Sequence, residues 1–303
     1  MGISDQDVVL NPNPLVRRKL LDRIADLGIE HVTVGDHITF HGGTGFDGIV
    51  SATSVLAAHD RLSVTIGVYL LALRHPVAVA RQLSTLCQLA PGRLTLGVGV
   101  GGEDRAEISS VGVNPATRGR RLDEALSVLT ELARGGVVSH RGEHFDIDAV
   151  RVSPPPQPRV PIVIGGRGDV AIQRTARYGD GWLGIFCSAR RFAETRQRIL
   201  DAAAALGRPA PTWFGVNVWC GLGIDSAVAR NLLAERMQSL YRLPREKFQH
   251  VAPAGTPAEV ADWLGAFVDA GATHVTVVPV AESVEAGIDA VAEVGSRLAA
   301  RTG

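Results

Sequence analysis

One seven-residue phrase occurs twice, near opposite ends of the chain. Gly28-Ile29-Glu30-His31-Val32-Thr33-Val34 is echoed by Gly271-Ala272-Thr273-His274-Val275-Thr276-Val277. Each copy follows a helical pattern, turns at Gly and enters a β-branched run. Glycine suits the position just past a helix end because it adopts φ > 0 without steric cost. A looser copy is Tyr178-Gly179-Asp180-Gly181-Trp182-Leu183. Such turns favour Gly in any fold, so the echo gains weight only from the runs between its copies. Apolar stretches fall at 31–35, 63–69, 94–100, 160–165, 182–186, 213–220 and 274–280, and a short one near 1–5 makes eight. They are rich in Val, Ile and Leu with little alternation, as parallel strands buried on both faces require.

Amphipathic helices lie between these runs. Residues 118–134 place Leu122, Leu126, Leu129 and Ala133 on one stripe. Residues 257–270 do the same with Val260, Trp263, Leu264 and Phe267, behind Thr256-Pro257-Ala258-Glu259, a capping-box signature with Pro in the first turn. Strand and helix alternating throughout predict one (β/α)8 TIM barrel over residues 1–303. Two segments exceed a minimal barrel. Residues 135–159, with Ser153-Pro154-Pro155-Pro156-Gln157-Pro158, form an insertion that crosses the rim before the fifth strand, since proline excludes a helix interior or central strand there. Residues 242–256 form a shorter insertion after the seventh strand.

Charge and composition remove several function classes. The 303 residues carry 31 basic and 31 acidic side chains, so there is no basic field for a nucleic-acid partner. Lys19 and Lys247 are the only lysines, and neither ends a strand, which excludes Schiff-base chemistry at a barrel mouth. Cys87, Cys187 and Cys220 are too scattered for a disulfide framework or a zinc site. No H-x-H, H-E-x-x-H or G-x-S-x-G motif occurs, so no metal site is expected. The first residues show no signal peptide, and the longest uncharged apolar region, 209–224, contains Pro and Gly and is too short to span a bilayer. A cytoplasmic protein with no membrane partner is expected.

A barrel places its chemistry at the C-terminal ends of the strands. That rule assigns His31 and His274, which open strands, to the stability face. His37 follows a strand in Gly35-Asp36-His37 and is the best-placed acid–base group, set against the plain alternative of a rim histidine bonded to a loop. Asp36 either orients His37, meets a cofactor edge or caps a turn. Arg74 and His75 precede Pro76, facing the site or capping the next helix. Gly97, Gly99 and Gly102 spell G-x-G-x-x-G, but two of them lie within or at the end of a strand and no helix opens directly after, so the dinucleotide reading is weak. They more plainly let a planar ligand approach the backbone or relieve crowding in the barrel. Gly165-Gly166-Arg167-Gly168-Asp169, ahead of a helix, favours a phosphate over a plain glycine turn: free backbone N–H groups, a helix dipole and Arg167 all suit an anion.

Taken together these segments resemble the bacterial luciferase-like family of flavin and deazaflavin oxidoreductases. The resemblance is carried by Val34-Gly35-Asp36-His37, Arg74-His75-Pro76 through Ala80-Arg81-Gln82, and Gly92-Arg93-Leu94-Thr95-Leu96-Gly97-Val98-Gly99. It continues in Arg118-Gly119-Arg120-Arg121-Leu122-Asp123-Glu124, Pro161-Ile162-Val163-Ile164-Gly165-Gly166, Tyr178-Gly179-Asp180-Gly181-Trp182 and Gly255-Thr256-Pro257. It implies a barrel that binds coenzyme F420 or FMN at its C-terminal end, with His37 and Asp36 beside the reactive ring. It implies a non-prolyl cis peptide at Gly67-Val68 behind the ring, and Val100 and Gly101 flanking the ring or its side chain. Gly165, Gly166, Arg167 and Gly168 would hold the phosphate, and a homodimer is expected. The charged run Glu103-Asp104-Arg105 departs from the polar or aromatic residues expected there.

Compact length, Gly-Asp-His and an Arg-rich, Lys-poor composition resemble the deazaflavin branch. The expected activity is F420-dependent hydride transfer to or from a small organic substrate, with His37 moving the accompanying proton or polarising the substrate. The alternatives are an FMN-dependent monooxygenase using reduced flavin and oxygen, a non-catalytic carrier of such a cofactor, and a metal-free phosphosugar isomerase on the same fold. Substrate walls would come from loops near 38–48, 103–115, 186–190 and 242–254, including Phe40, Phe46, Phe186 and Tyr241.

Overall fold

Eight parallel strands close on themselves: β1 (Gly2–Ile3), β2 (His31–Val34), β3 (Ser63–Tyr69), β4 (Leu94–Val98), β5 (Ile162–Gly165), β6 (Gly181–Ile185), β7 (Trp213–Leu222) and β8 (His274–Val280). Each pairs with its sequence neighbours, β8 pairs with β1, and β6 with β7, so no barrel edge is left open. The computed structural model describes residues 1–302 except Glu103 and Leu243. The expected strands are all present, each end within two residues of its anticipated place.

The helices that bear on the site are α1 (Gln6–Val9), α2 (Pro14–Asp26), α3 (Gly48–Ala58), α4 (Pro76–Leu89), α5 (Arg105–Ser110) and α6 (Arg118–Leu132). They continue as α7 (Asp169–Tyr178), α8 (Ala189–Ala205), α9 (Ser226–Tyr241), α10 (Pro257–Asp269) and α11 (Val284–Thr302). On α6 the buried stripe is Leu122, Ala125, Leu126, Leu129 and Leu132. On α10, Thr256 and Glu259 form the capping box the sequence announces, satisfying two backbone donors that the helix cannot. Trp182, Phe192, Phe214 and Phe267 are among the largest fully buried side chains and join barrel wall to helical shell.

The N-terminal end of the barrel is plugged by imidazoles. His31 Nε2 lies 3.0 Å from Thr276 Oγ1, which lies 3.1 Å from Thr33 Oγ1. The His274 ring stacks on Trp213 with centroids 4.3 Å apart. Burial holds the His31 imidazole down at about 3 and that of His274 at about 4, so both are neutral there. This is the stability face, as their strand-opening positions require.

The insertion before β5 contains a hairpin, Val138–Arg141 with Asp146–Val150, that the polar sequence does not announce. It folds back along α6: Glu124 accepts from the backbone N–H groups of Glu143 and His144, and Phe145 meets the His75 ring edge-on at the upper rim. The proline run then descends along α4, with Arg81 donating to the Ser153 carbonyl and Ser84 to the Pro154 carbonyl. After α9, a short strand, Ala254–Gly255, adds to the edge of β7. Among the described residues no helix is long and apolar enough to cross a membrane.

Candidate active site

The chain leaves β2 at Gly35-Asp36-His37, and consecutive side chains there point opposite ways. Asp36 turns inward to the wall. Its carboxylate, fully buried, accepts from Arg74 Nη2 at 2.7 Å, from the Leu70 amide at 2.8 Å and from the Gly48 amide at 2.9 Å. Burial pushes this carboxyl above its ordinary value, while Arg74 and the two amides pull it back. Asp36 therefore ties the ends of β2 and β3 to α3 and does not meet His37, the contact the sequence left open. Arg74 serves this knot and also pairs with Asp47 at 3.2 Å.

His37 faces the mouth. Its Nδ1 lies 3.1 Å from Glu107 Oε2, and Glu107, 2% exposed, also accepts from the amides of Ile38 at 2.6 Å and Thr39 at 3.3 Å. Asp104 caps α5, bringing Glu107 into place, and accepts from the His41 amide. Among the described residues no partner contacts His37 Nε2, which leaves that nitrogen for a ligand. Glu107 is the principal residue that sequence reading missed. Its only signal was an acidic residue four positions beyond Glu103, which itself lies outside the described residues. Phe40 packs against His37 with ring centroids 4.2 Å apart and planes tilted by 31°.

Gly67-Val68 is a non-prolyl cis peptide, as the resemblance implied, and β3 slips register against β4 there. Val68 packs over a glycine floor. A Cβ on Gly99 would stand 2.5 Å from Val68 Cγ2, and one on Gly165 would stand 2.8 Å from Val68 Cγ1. No side chain larger than hydrogen fits at either position without displacing Val68. Gly97, with the Ile66 carbonyl in the space a Cβ would take, joins Gly99 and Gly165 in making room for the β3 bulge, which is relief of crowding in the barrel rather than a dinucleotide turn. Val100 lies at the rim beside it, and Gly101 takes φ +66° against Leu70 and Ile108.

The turn after β5 is exposed. Gly166 holds φ +130° and accepts from Trp182 Nε1 at 2.7 Å. Gly168 precedes α7 with no side-chain cap, so the first backbone N–H groups of the helix are open. Arg191 of α8 reaches back, its Nη2 donating to the Arg167 carbonyl at 3.4 Å. Burial raises the Cys187 thiol to about 11, opposed by the charges of Arg167 and Arg191. The sequence offered Arg167 as the sole local cation; Arg191 joins it from the next unit.

A cavity of ≈ 540 Å³ opens at the barrel mouth, lined by His37, Phe40 and Gly67 on one side and by residues of β6, β7, β8, α9 and the β1 end on the other. Val100, Gly101 and the Gly165–Gly168 turn do not line it. Of the anticipated wall residues, Phe40 and Tyr241 line the cavity, while Phe186 meets Tyr241 edge-on at 5.5 Å. Asn217, hidden in an apolar run, also lines it, 6% exposed and with no hydrogen-bond partner for Oδ1. No group of three or more His, Cys, Asp or Glu fit to hold a metal occurs among the described residues.

Known proteins are similar to this chain in sequence and in fold. A sequence profile of the luciferase-like monooxygenases matches residues 17–247. An F420-dependent hydroxymycolic acid dehydrogenase of Mycobacterium tuberculosis is 32% identical over 162 residues, 52% of this chain and 44% of that one. A pyrimidine monooxygenase, RutA, of Variovorax paradoxus is 29% identical over 201 residues, 63% of this chain and 48% of that one. The matched stretches thus span less than half of these curated relatives. Two solved structures share the fold end to end. An F420-dependent secondary alcohol dehydrogenase superposes with a TM-score of 0.84 at 20% identity, covering 98% of both chains. Monooxygenase RslO1 of Streptomyces bottropensis does so at 0.81 and 19%, covering 100% of this chain and 99% of that one.

Proposed function

The chain belongs to the luciferase-like monooxygenase family, and we propose that within it the protein is a coenzyme F420-dependent oxidoreductase acting on a small organic substrate. The observation that carries this reading is the His37–Glu107 pair at the cavity edge. Dehydrogenation parts a hydride from a proton. The deazaflavin supplies a two-electron hydride carrier, and the chain must supply a place for the proton. His37 does so at Nε2. Glu107, accepting from Nδ1–H, fixes the tautomer in which Nε2 is the basic nitrogen and stabilises the imidazolium once it forms.

The remaining residues fit a tricyclic ring with a phosphate arm. The ring would lie over the Gly67-Val68 bulge, which Gly97, Gly99 and Gly165 make room for by lacking side chains. The Gly166-Arg167-Gly168 turn and Arg191 hold the phosphate at the start of α7. Phe40 covers one face of the His37 ring, whose side chain stays 35% exposed at the cavity edge, open to a substrate.

A second reading, an FMN-dependent monooxygenase, is favoured by the likeness to the pyrimidine monooxygenases. Titrating cofactor-free protein with F420 and with FMN separates the two. Micromolar binding of F420 with negligible binding of FMN is expected. Binding of FMN alone would overturn the proposal.

A further inference from the structure

Glu107 reaches His37 from a segment that stands apart from the barrel. Helix α5 is flanked by glycines in the left-handed region: Gly101 at φ +66° and Gly102 at φ +147° before it, Gly112 at φ +75° after it. Its apolar side does not join the main core. Ile108 and Val113 pack with Leu70, Leu73 and the partly buried Ile38 in a small core of their own. The facing stretch, 37–41, is pinned at its base. The His37 amide donates to the Phe46 carbonyl at 3.0 Å, and a Cβ on Gly45 would stand 2.5 Å from the His37 carbonyl oxygen. Segment 104–113 is therefore the less anchored of the two.

Among the described residues, every hydrogen bond by which a side chain of 104–113 reaches outside the segment ends on 37–41. Glu107 accepts from His37 and from the amides of Ile38 and Thr39, and Ser110 Oγ lies 3.3 Å from Thr39 Oγ1. Asp104 accepts from the His41 amide at 2.8 Å while capping α5 through the amides of Ala106 and Glu107. These ties act together: lifting the segment withdraws Glu107 from three donors at once. A small core between glycine ends, joined to the body by a few bonds, opens as one unit at lower cost than the strands beneath it. Charge on His37 tightens the tie, because an imidazolium attracts the carboxylate. A ligand that gives Nε2 a proton therefore favours the docked segment, and docking favours that ligand in return.

We propose that segment 104–113 is a docking flap that switches His37 between two states. Docked, Glu107 holds the ring proton on Nδ1 and leaves Nε2 basic at the cavity edge. Undocked, the ring relaxes to the tautomer a free imidazole prefers, with the proton on Nε2, and no basic nitrogen faces the ligand. The flap does not line the cavity, so it acts through His37 as a positioning device and not as a cover over the mouth. Its purpose rests on the oxidoreductase reading above; its existence does not.

Amide hydrogen exchange and histidine nitrogen NMR on the cofactor-free protein test it. The amides of Ile38, Thr39 and His41 are expected to exchange in one opening event with segment 104–113, ahead of the barrel strands. Asp104→Ala should speed both stretches by about 2–30-fold, the value of a lost helix cap, with the strands unchanged. Asp104→Asn, which still caps, should stay near the parent, and Ile108→Ala should repeat the effect from the apolar side. At alkaline pH the His37 signal should shift from the Nδ1–H towards the Nε2–H pattern in Asp104→Ala and Ile108→Ala. The native cysteines are buried, so a Thr39→Cys, Ser110→Cys disulfide added to either variant should restore slow exchange and the parent tautomer until it is reduced. Independent exchange of the two stretches, acceleration that spreads into the strands, or an unchanged tautomer overturns the proposal. Titrations with F420 and FMN on the same samples keep the outcomes apart. Failure to bind either cofactor sinks the oxidoreductase reading while a cooperative flap stands; a bound cofactor on a protein whose two stretches exchange independently sinks only this inference.

Discussion

Glu107 Oε2 lies 3.1 Å from Nδ1 of His37, across a separation of 70 residues. The carboxylate also accepts two loop amides, so it sets both the ring and the backbone that carries it. Glu107 accordingly acts through His37, and the two should fail differently. His37→Ala should lower turnover by roughly 10²–10⁴-fold with cofactor affinity nearly unchanged, and added imidazole should restore part of it. Glu107→Gln keeps an acceptor for the amides and should lower kcat more than it raises KM. Steady-state kinetics with cofactor titrations check this; full turnover in His37→Ala would remove the acid–base role.

Arg167 and Arg191 converge on the turn before α7 from successive βα units. Neither guanidinium makes an ion pair among the described residues. Substituting either by Ala should weaken a phosphate-bearing cofactor by about 10–100-fold, the value of one or two charge-assisted bonds. Riboflavin, which has the ring without the phosphate, should bind the variants and the parent alike, and added salt should narrow the difference. An equal loss for FMN and riboflavin would mean that the turn shapes the ring site instead.

Much of this arrangement is legible in the sequence because barrel strands are simple objects. Buried parallel strands must be Val-, Ile- and Leu-rich, and the turn glycines that separate them from helices repeat. His37 was legible because a strand end is a functional address in this fold. Asp36 was not resolved, since only the closed barrel shows which of two adjacent side chains faces the mouth. Glu107 and Arg191 escaped for a common reason. Each acquires its role from a partner brought close by closure, and neither sits in a pattern that local spacing constrains. The 138–150 hairpin was missed because it lies on the outer face of α6, where half its residues face water and no apolar run marks it.

At the opposite end of the barrel, His31 and His274 should make the fold acid-sensitive. Their folded-state values, about 3 and about 4, lie below the ordinary imidazole value of 6.5. The unfolded chain therefore takes up protons first as pH falls. The stability due to neutral burial is fully present above pH 6.5 and is lost progressively on going down towards pH 4 and then 3. His31→Gln, which can still reach Thr276, should flatten the pH dependence of urea-unfolding free energy over that window by about one proton. An unchanged slope would show that His31 is not a source of the acid sensitivity.

The glycines that make room for Val68 give the sharpest test of where the ring lies. Gly165→Ala would put a Cβ 2.8 Å from Val68 Cγ1, with the next neighbours at 3.6 Å or beyond. The new methyl must push Val68 towards the cavity, at about 1–3 kcal/mol in a packed setting. Cofactor affinity should fall about tenfold or more, with little change in the phosphate grip a few residues on. Val68→Ala removes the clashing methyl and leaves ordinary contact at 3.7 Å to the remaining Cβ. The double variant should therefore recover most of the affinity lost in Gly165→Ala, a coupling that binding titrations on all four proteins measure directly. Additive losses would place the ring away from Val68 and would take the Gly67-Val68 bulge out of the cofactor site.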